Sequence, residues 1–406
     1  MKNTDVLVSG AGIAGIALAF WLSRNDFTVT LVERAPAVRL GGYKVDIRGA
    51  AVRVIERMEM LDAVRAMRTE VRSGSVVSAA GKKVASMDGD TFGGRKYGDA
   101  EVLRGDLQQL LYSRTQEGVT YLFEDSIASL DHSAGGVQVT FASGRAETFD
   151  LVVGADGMRS TTRELAFGTD EQFVHDMGYY ISVFSVPNHL KLDREELTYI
   201  SPGRTALTYS TAREAGAKAM FLFSSEPLSY DFRDRAEQER LLAAAYDGEG
   251  WEVPQLLEHI SDSPDFTFDS LSQVHMDRWA DGRIALLGDA AYCASAASGQ
   301  GTSLALVGAY VLAAELVDAS GDHTAAFNAY EQRMRPFVQE NQTLGPANIK
   351  RMVVGTKTQV GFSMAMLRLM SRVPGKDRML AKVTEPISKA AESITLPHLS
   401  QQSRQR

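Results

Sequence analysis

The sequence predicts an α/β fold, in which a parallel sheet is flanked by helices, an antiparallel sheet is inserted, and a helical segment ends the chain. Three observations support this fold class. A glycine-rich turn at 10–15 follows an apolar, β-branched run and precedes a helical segment. A second glycine-rich region lies far along the chain, at 288–301. Between them, residues 177–226 read as short strands separated by turn residues.

The first element is a strand, a tight turn and a helix. Residues 5–9 form the apolar strand, and small residues occupy the early turns of the helix. In this arrangement the first glycine permits the turn, the second lets the backbone approach a pyrophosphate, and the third lets the helix pack on the strand. Unpaired N–H groups and the helix dipole favour a diphosphate there. The turn therefore predicts a dinucleotide site that uses Gly10, Gly12, Ala14 and Gly15.

The second strand, at 28–32, ends in Glu33. An acidic residue about twenty residues past the first glycine is suited to bind the hydroxyl pair of a ribose. Because a strand, a helix, a second strand and a terminal acid are all present, the pattern favours dinucleotide binding over a purely structural βα turn.

The composition limits the possible classes of protein. A chain of 406 residues is large for one core and predicts two domains. The formal net charge is −8 and no basic tract dominates, which argues against a nucleic-acid partner. The one cysteine, Cys293, excludes an intrachain disulfide framework and a cysteine-cluster metal site, and no metal is expected. Because the first strand begins close to Met1, no signal peptide is expected and a cytoplasmic location is predicted.

Residues 290–314 carry no charged side chain and are long enough to suggest a transmembrane span. The glycines and serines of the segment, with Asp289 at its border, instead favour a buried helix that faces a ligand. We therefore expect this segment to lie inside the protein.

Two segments in the middle of the chain also indicate ligand contact. An apolar strand at 149–153 leads into Asp156 and Gly157, and a strand that ends in Gly-x-Asp-Gly before a helix brings backbone close to a ligand. A turn-forming role for Asp156 is the alternative. Arg104 stands at the start of an amphipathic helix, where it suits the phosphates or the ring edge of a cofactor. A surface ion pair is the alternative for Arg104.

Together these motifs resemble those of the class A flavoprotein monooxygenases, the family of para-hydroxybenzoate hydroxylase and the tetracycline-inactivating monooxygenases. The resemblance covers about residues 1–335 and includes a GG-x-x-x-D stretch at 41–46. It implies a Rossmann-like FAD-binding domain of the glutathione-reductase type, with an inserted antiparallel-sheet substrate domain and a C-terminal helix. It assigns FAD binding to Gly10, Gly12, Ala14, Gly15, Glu33, Arg34, Asp46, Arg48, Arg104, Asp156, Gly157, Gly288, Asp289, Gly299, Gln300 and Gly301.

The resemblance also implies roles for individual residues. Asp289 would bind the ribityl chain, and the backbone N–H groups of 299–301 would face the pyrimidine end of the flavin ring. Donors at a helix start suit that place, because a reduced flavin carries negative charge near N1. Asp156 would serve both the flavin diphosphate and the nicotinamide cofactor.

The predicted domain boundaries follow the same pattern. The FAD-binding domain takes 1–72, 100–175 and 275–335, the substrate domain takes 73–99 and 176–274, and the C-terminal helical segment takes 336–406. Because small ligands usually bind in the cleft between two domains, substrate contacts are predicted at Tyr209, Arg213, Phe221 and Phe223. An ordinary role in the sheet core is the alternative for each of them. The catalytic base stays unassigned, with His175, His275, Tyr209 and Arg213 as candidates.

The resemblance implies an FAD-dependent monooxygenase. NADPH or NADH would bind transiently, since the chain has no second GxGxxG, and O2 would be used through a flavin C4a-hydroperoxide to hydroxylate an aromatic or polycyclic phenolic, polyketide-like compound. Family members usually carry one or two prolines before GQG, whereas this chain has Ser295-Ala296-Ala297. That departure motivates the alternative of an FAD-dependent reductase or dehydrogenase without oxygen insertion. Baeyer–Villiger-type oxygenation on the same scaffold and a non-enzymatic flavin-binding sensor are further alternatives.

The tail from Lys350 to Lys382 is basic and rich in methionine, with helical apolar spacing at 360–372. Such a helix can lie on an acidic membrane. It can equally pack across the two domains, and packing is the preferred interpretation. The expected protein is a monomer or a dimer.

Overall fold

The computed structural model describes residues 2–38, 41–133, 135–370 and 376–399. Its strands, in chain order, are β1 (Asp5–Ser9), β2 (Thr28–Glu33), β3 (Lys44–Ile47), β4 (Ser73–Val77), β5 (Lys83–Asp88), β6 (Ala100–Leu103), β7 (Thr120–Phe123), β8 (Ile127–His132), β9 (Val137–Phe141), β10 (Ala146–Phe149), β11 (Leu151–Gly154), β12 (Val174–Val186), β13 (Glu195–Ser201), β14 (Arg204–Tyr209), β15 (Ala217–Ser224), β16 (Thr267–Val274), β17 (Ala280–Asp281) and β18 (Ile284–Leu286).

The helices are α1 (Ile13–Ser23), α2 (Ala50–Arg57), α3 (Leu61–Ala66), α4 (Gly89–Gly93), α5 (Arg104–Ser113), α6 (Thr161–Phe167), α7 (Asp170–Phe173), α8 (Arg235–Ala245), α9 (Val253–Leu257), α10 (Asp289–Tyr292), α11 (Gly301–Asp318), α12 (His323–Gln342), α13 (Leu344–Met352), α14 (Lys357–Met370) and α15 (Lys376–Ala391). A 3-10 turn covers Ala296–Ser298.

A six-stranded, mainly parallel sheet forms the first layer, in the order β17-β18-β11-β1-β2-β7. β1 pairs in parallel with β2 and β11, so the carboxyl ends of these three strands meet at one edge. Gly10, Glu33 and Gly154 lie at this edge. α1 and α11 pack together on the sheet and share its apolar core. The strand, turn, helix and second strand predicted from the sequence are therefore confirmed.

A seven-stranded, largely antiparallel sheet forms the second layer, in the order β16-β12-β15-β14-β13-β4-β5. The β4–β5 hairpin joins strands from much later in the chain through the parallel pairing of β4 with β13. The two segments assigned to the substrate domain, 73–99 and 176–274, thus contribute to one sheet. α8 and α9 cover one face of it over a core that includes Phe184, Phe221 and Phe223.

The uncharged segment 290–314 is not a single helix. α10 ends at Tyr292, an irregular loop and the 3-10 turn follow, and α11 begins at Gly301. By length and composition α11 could span a membrane, but 78% of it is buried in the structure, where α1 and α12 pack on it. Burial in the protein core thus accounts for its apolar composition, as predicted.

The carboxyl-terminal helices pack on both layers. α12 runs without a break through the predicted boundary at 335, with Pro336 inside it. The Thr205 hydroxyl of the seven-stranded sheet donates to the Met352 carbonyl of α13 at 2.5 Å. The Asn341 amide of α12 donates to the Ala390 carbonyl of α15 at 3.2 Å. These contacts tie the tail to the rest of the protein.

α14 corresponds to the helix predicted at 360–372, of which residues 371 and 372 lie outside the described residues. It lies beside β5 and β13, which both belong to the seven-stranded sheet. Its large apolar side chains Phe362, Met366 and Leu369 are exposed.

Candidate functional site

A cavity of about 900 Å³ extends from the carboxyl ends of β1 and β2 to the uncovered face of the seven-stranded sheet. The structure therefore brings together most of the residues that the sequence assigned to the cofactor. Those in the cavity wall are Gly10, Gly12, Ala14, Glu33, Arg34, Asp46, Arg104, Asp156, Gly157, Asp289, Gly299 and Gly301. The other four residues do not line the cavity; they are Gly15, Arg48, Gly288 and Gln300.

The glycine turn has the geometry that close ligand approach requires. Gly10 has a φ of +103°, and a Cβ there would lie 2.7 Å from the Ala155 carbonyl oxygen. A Cβ on Gly15 would lie 2.0 Å from the Gly10 carbonyl oxygen, so α1 can pack this closely only if residue 15 has no side chain. Gly12 caps α1 and faces open space within the cavity. The start of α1 thus opens into the cavity at Gly12, a position that suits a diphosphate.

The Glu33 carboxylate is held by the backbone on both sides. It accepts hydrogen bonds from the Ala11 N–H at 2.8 Å and from the Ala35 N–H at 2.9 Å. These bonds fix the glycine turn to the end of β2 while the carboxylate stays in the cavity wall. The predicted ribose contact remains a prediction, and the structure adds a role in shaping the turn.

Asp156 also has local partners. Its carboxylate accepts hydrogen bonds from the Ser160 hydroxyl and from the N–H and hydroxyl of Thr162, both at 2.9 Å. Burial raises the pKa of Asp156, although these donors oppose the shift. The Asp156 side chain therefore stabilises the start of α6, as the turn-forming alternative expects. Asp156 and Gly157 also line the cavity.

Arg104 and Asp289 face the same part of the cavity. Burial raises the pKa of Asp289, and the positive charge of Arg104 partly opposes that shift. Among the described residues, Arg104 has no carboxylate within 4.0 Å, so the surface ion pair considered for it is not formed there. A cation without an ion-pair partner among the described residues, and a carboxylate that is open to the cavity, fit the phosphates and the ribityl hydroxyls of FAD.

The loop at 293–300 forms another part of the wall. Ser295 has a φ of +70°, a conformation that L-residues rarely adopt, and its hydroxyl accepts from the Ala297 N–H. Proline, whose φ is fixed near −65°, cannot take this place. Gly299 and Gly301 lie in the wall, where α11 begins. The fully buried Gln300 side chain instead points to the Ile387 carbonyl of α15, 3.4 Å away.

The Arg48 side chain binds the backbone at the end of α4 and does not line the cavity. Its guanidinium donates to the carbonyls of Gly93 and Gly94 beside α4 and to the Asp46 carboxylate at 2.7 Å. The side chain is only 4% exposed. The sequence predicted a cofactor contact for Arg48 because it follows the GG-x-x-x-D stretch. In the structure its side chain does not line the cavity.

The predicted substrate face requires a correction. Phe221 and Phe223 point away from the cavity into the core under α8 and α9, and Tyr209 is fully buried beneath Lys44. Arg213 lies outside the wall and pairs with Asp106 at 3.0 Å. Residues of the cavity wall that the sequence did not indicate include Ile181, Val183, Leu271, Arg159, Phe232 and Arg233.

The candidate histidines also lie elsewhere. The rings of His175 and His275 are 5.1 Å apart between centroids and line a separate cavity of about 410 Å³. Burial lowers the pKa of His275, and the neighbouring His175 lowers it further. Burial raises the pKa of the Tyr209 hydroxyl well above its ordinary value. None of these three side chains reaches the large cavity, so the catalytic base stays unassigned.

A buried charge cluster borders the same cavity. Lys44 Nζ lies 2.5 Å from Glu196 and 3.3 Å from Glu101, over the Tyr209 ring. Burial alone would lower the pKa of Lys44, but the two carboxylates outweigh burial and raise it. The cluster joins β3 and β6 to β13 of the seven-stranded sheet. No local sequence pattern indicates it, because its members are far apart in the chain.

Known proteins are similar to this chain over most of its length. A family model described as FAD binding domain matches residues 3–343. A flavin-dependent monooxygenase of Legionella longbeachae is 40% identical over 344 residues, which are 85% of this chain and 88% of that protein. The crystal structure of tetracycline destructase Tet(51) has 36% identity and a TM-score of 0.85, over 98% of this chain and 100% of that one.

The HpxO protein of Klebsiella pneumoniae, solved with FAD and uric acid, shares the fold at 19% identity. Its TM-score is 0.74 over 95% of this chain and 97% of that one. The cavity wall fits FAD, and the family model covers all the glycine-rich segments that form it. The chain therefore belongs to the FAD-binding-domain family of flavin-dependent monooxygenases and is an FAD-dependent oxidoreductase.

Proposed function

We propose that this enzyme uses NAD(P)H and O2 to hydroxylate an aromatic or polycyclic phenolic compound. One observation carries the proposal. A single cavity joins the residues assigned to FAD with an apolar face of the seven-stranded sheet, where Ile181, Val183 and Leu271 lie. A flat apolar ring system fits such a surface, and the cavity volume of about 900 Å³ lies in the upper part of the range of small-molecule and cofactor sites.

In this proposal different residues of the cavity wall bind the cofactor and the substrate. The backbone amide groups near Gly299 and Gly301 would stabilise the flavin ring, while Arg104 and the start of α1 would hold its phosphates. The apolar strand residues orient the substrate and exclude water from it. When bound, FAD supplies the hydride acceptance and the oxygen chemistry.

The substrate class rests on the similarity to tetracycline destructase Tet(51), whose name describes action on a polycyclic phenolic compound. The assignment of NAD(P)H as the reductant rests on the resemblance to class A flavoprotein monooxygenases.

The test is to follow NADPH or NADH consumption together with hydrogen peroxide release on the purified yellow protein, across phenols and polycyclic quinones. We expect one compound to speed nicotinamide oxidation while peroxide falls well short of it. Nicotinamide oxidation that always ends in peroxide, or conversion of the compound that is unchanged when an artificial acceptor replaces O2, would contradict the proposal and favour a reductase or dehydrogenase.

A further inference from the structure

The 293–300 loop contains no proline, and the structure shows which contacts hold its backbone. Its backbone carbonyls receive hydrogen bonds from three carboxamide side chains that lie on other elements. Asn348 of α13 donates to Ala297 at 3.1 Å. Gln273 of β16 donates to Ala294 at 3.3 Å.

The third carboxamide is Gln342 of α12, whose Nε2 lies 3.4 Å from the Cys293 carbonyl. Gln273 and Gln342 are themselves joined, since Gln273 Nε2 donates to the Gln342 carbonyl at 2.7 Å and Gln342 Nε2 donates to the Val274 carbonyl at 2.8 Å. Both side chains are buried. We call Gln273, Gln342 and Asn348 the carboxamide clamp.

Apolar packing and close backbone contact reinforce the clamp. Ala297 packs with Ile349 and Val353 from the α13 side and with Leu222 of the seven-stranded sheet. A Cβ on Gly345 would lie 3.0 Å from the Ala294 carbonyl oxygen, so α13 rests directly on the loop backbone. The loop is thus held from outside in the strained conformation that Ser295 adopts, which persists only when its surroundings enforce it.

We propose that the carboxamide clamp positions the 293–300 loop, which has no proline to stiffen it, against the flavin. The inference rests on the proposed function, because the loop must be fixed for oxygen to reach the substrate rather than escape as peroxide. Asn348 is then a positioning residue, which acts through the Ala297 carbonyl. The clamp also connects this loop to β14 of the substrate layer, through the bond between Thr205 and Met352.

The test compares Asn348→Asp with wild type, because aspartate keeps the size of the side chain and removes the donor. Asn348→Gln keeps a donor, and Lys350→Gln changes an exposed residue on the same helix. In the FAD-loaded enzyme we expect Asn348→Asp to raise amide hydrogen exchange at 297–299 about 3- to 10-fold, the effect of one lost hydrogen bond. The share of NAD(P)H lost as peroxide should rise by a similar factor, with FAD content unchanged.

Asn348→Gln should recover part of both effects, and Lys350→Gln should show neither. Unchanged exchange in Asn348→Asp would overturn the clamp, and faster exchange with unchanged peroxide loss would overturn its positioning role. If wild type yields only peroxide, the proposed function fails while the exchange comparison still decides whether the clamp holds the loop. Should Asn348→Asp not fold, Asn348→Ser removes the amide without adding charge.

Discussion

Replacing Lys44 by methionine should lower the free energy of unfolding by about 3 kcal/mol at neutral pH. The two carboxylates that surround its ammonium group, those of Glu101 and Glu196, have side chains only 5% and 6% exposed. Loss of the cation leaves buried negative charge without compensation, and removing one partner of a buried pair costs about 3–5 kcal/mol. The side chain of methionine keeps most of the packing.

The lower end of this range applies because Glu101 retains a second cation, Arg95, at 2.6 Å. Glu196 has no other cation within 4.0 Å among the described residues, so it carries most of the cost. Adding Glu196→Gln to Lys44→Met should therefore restore about 2 kcal/mol.

The penalty has a defined pH dependence. In wild type the carboxylates raise the pKa of Lys44, so its contribution is complete below the ordinary lysine pKa and is lost only as the pH rises further. In Lys44→Met, Glu101 loses one of the two cations that lower its pKa, so the pKa of this buried carboxyl should rise. The variant then takes up a proton on acidification, and the stability difference shrinks from about pH 8 to about pH 5.

Urea unfolding of the FAD-loaded wild type, the two single variants and the double variant, followed by circular dichroism at both pH values, gives the required free energies. Lys83→Met is the matched control, because it removes an exposed lysine that pairs with Glu195, and it should cost less than about 1 kcal/mol. A cost below about 1 kcal/mol for Lys44→Met, or a cost that grows on acidification, would refute the reasoning.

Three other predictions concern the cavity and the sheet. Asp289→Ala should weaken FAD binding about 10- to 150-fold, the effect of one lost hydrogen bond to a charged group, and full flavin absorbance after dilution would count against this placement. Ser295→Pro should lower stability by more than about 1 kcal/mol, because its φ of +70° excludes proline; Ser295→Gly is the control, and equal urea midpoints for the two would contradict the prediction. Phe221→Ala should cost about 3–5 kcal/mol in urea unfolding and leave the substrate KM unchanged, so a raised KM at normal stability would return Phe221 to the substrate face.

The sequence allowed much of the first layer to be predicted, because its signals are local. The turn at 10–15 requires glycine for steric reasons, and Glu33 follows β2 at a spacing that the βαβ geometry dictates. The carboxyl ends of parallel strands meet at one edge, which is why motifs such as 156–157 and 288–301 converge on one cavity.

The direction of the side chains could not be predicted in the same way. Alternation along β15 separates Phe221 from Leu222 but does not say which face α8 and α9 will cover. Gln300 belongs to a glycine motif, yet its side chain turns to α15, which lies far along the chain. The Lys44 cluster and the carboxamide clamp likewise depend on residues that only the tertiary fold brings together.

Mass spectrometry of the product formed under ¹⁸O2 tests oxygen insertion most directly. The compound that stimulates NAD(P)H oxidation in the panel should gain one ¹⁸O atom per product molecule, with little label introduced from H2¹⁸O. A product that forms at the same rate without ¹⁸O would contradict a monooxygenase function and leave FAD-dependent dehydrogenation or reduction as the reaction.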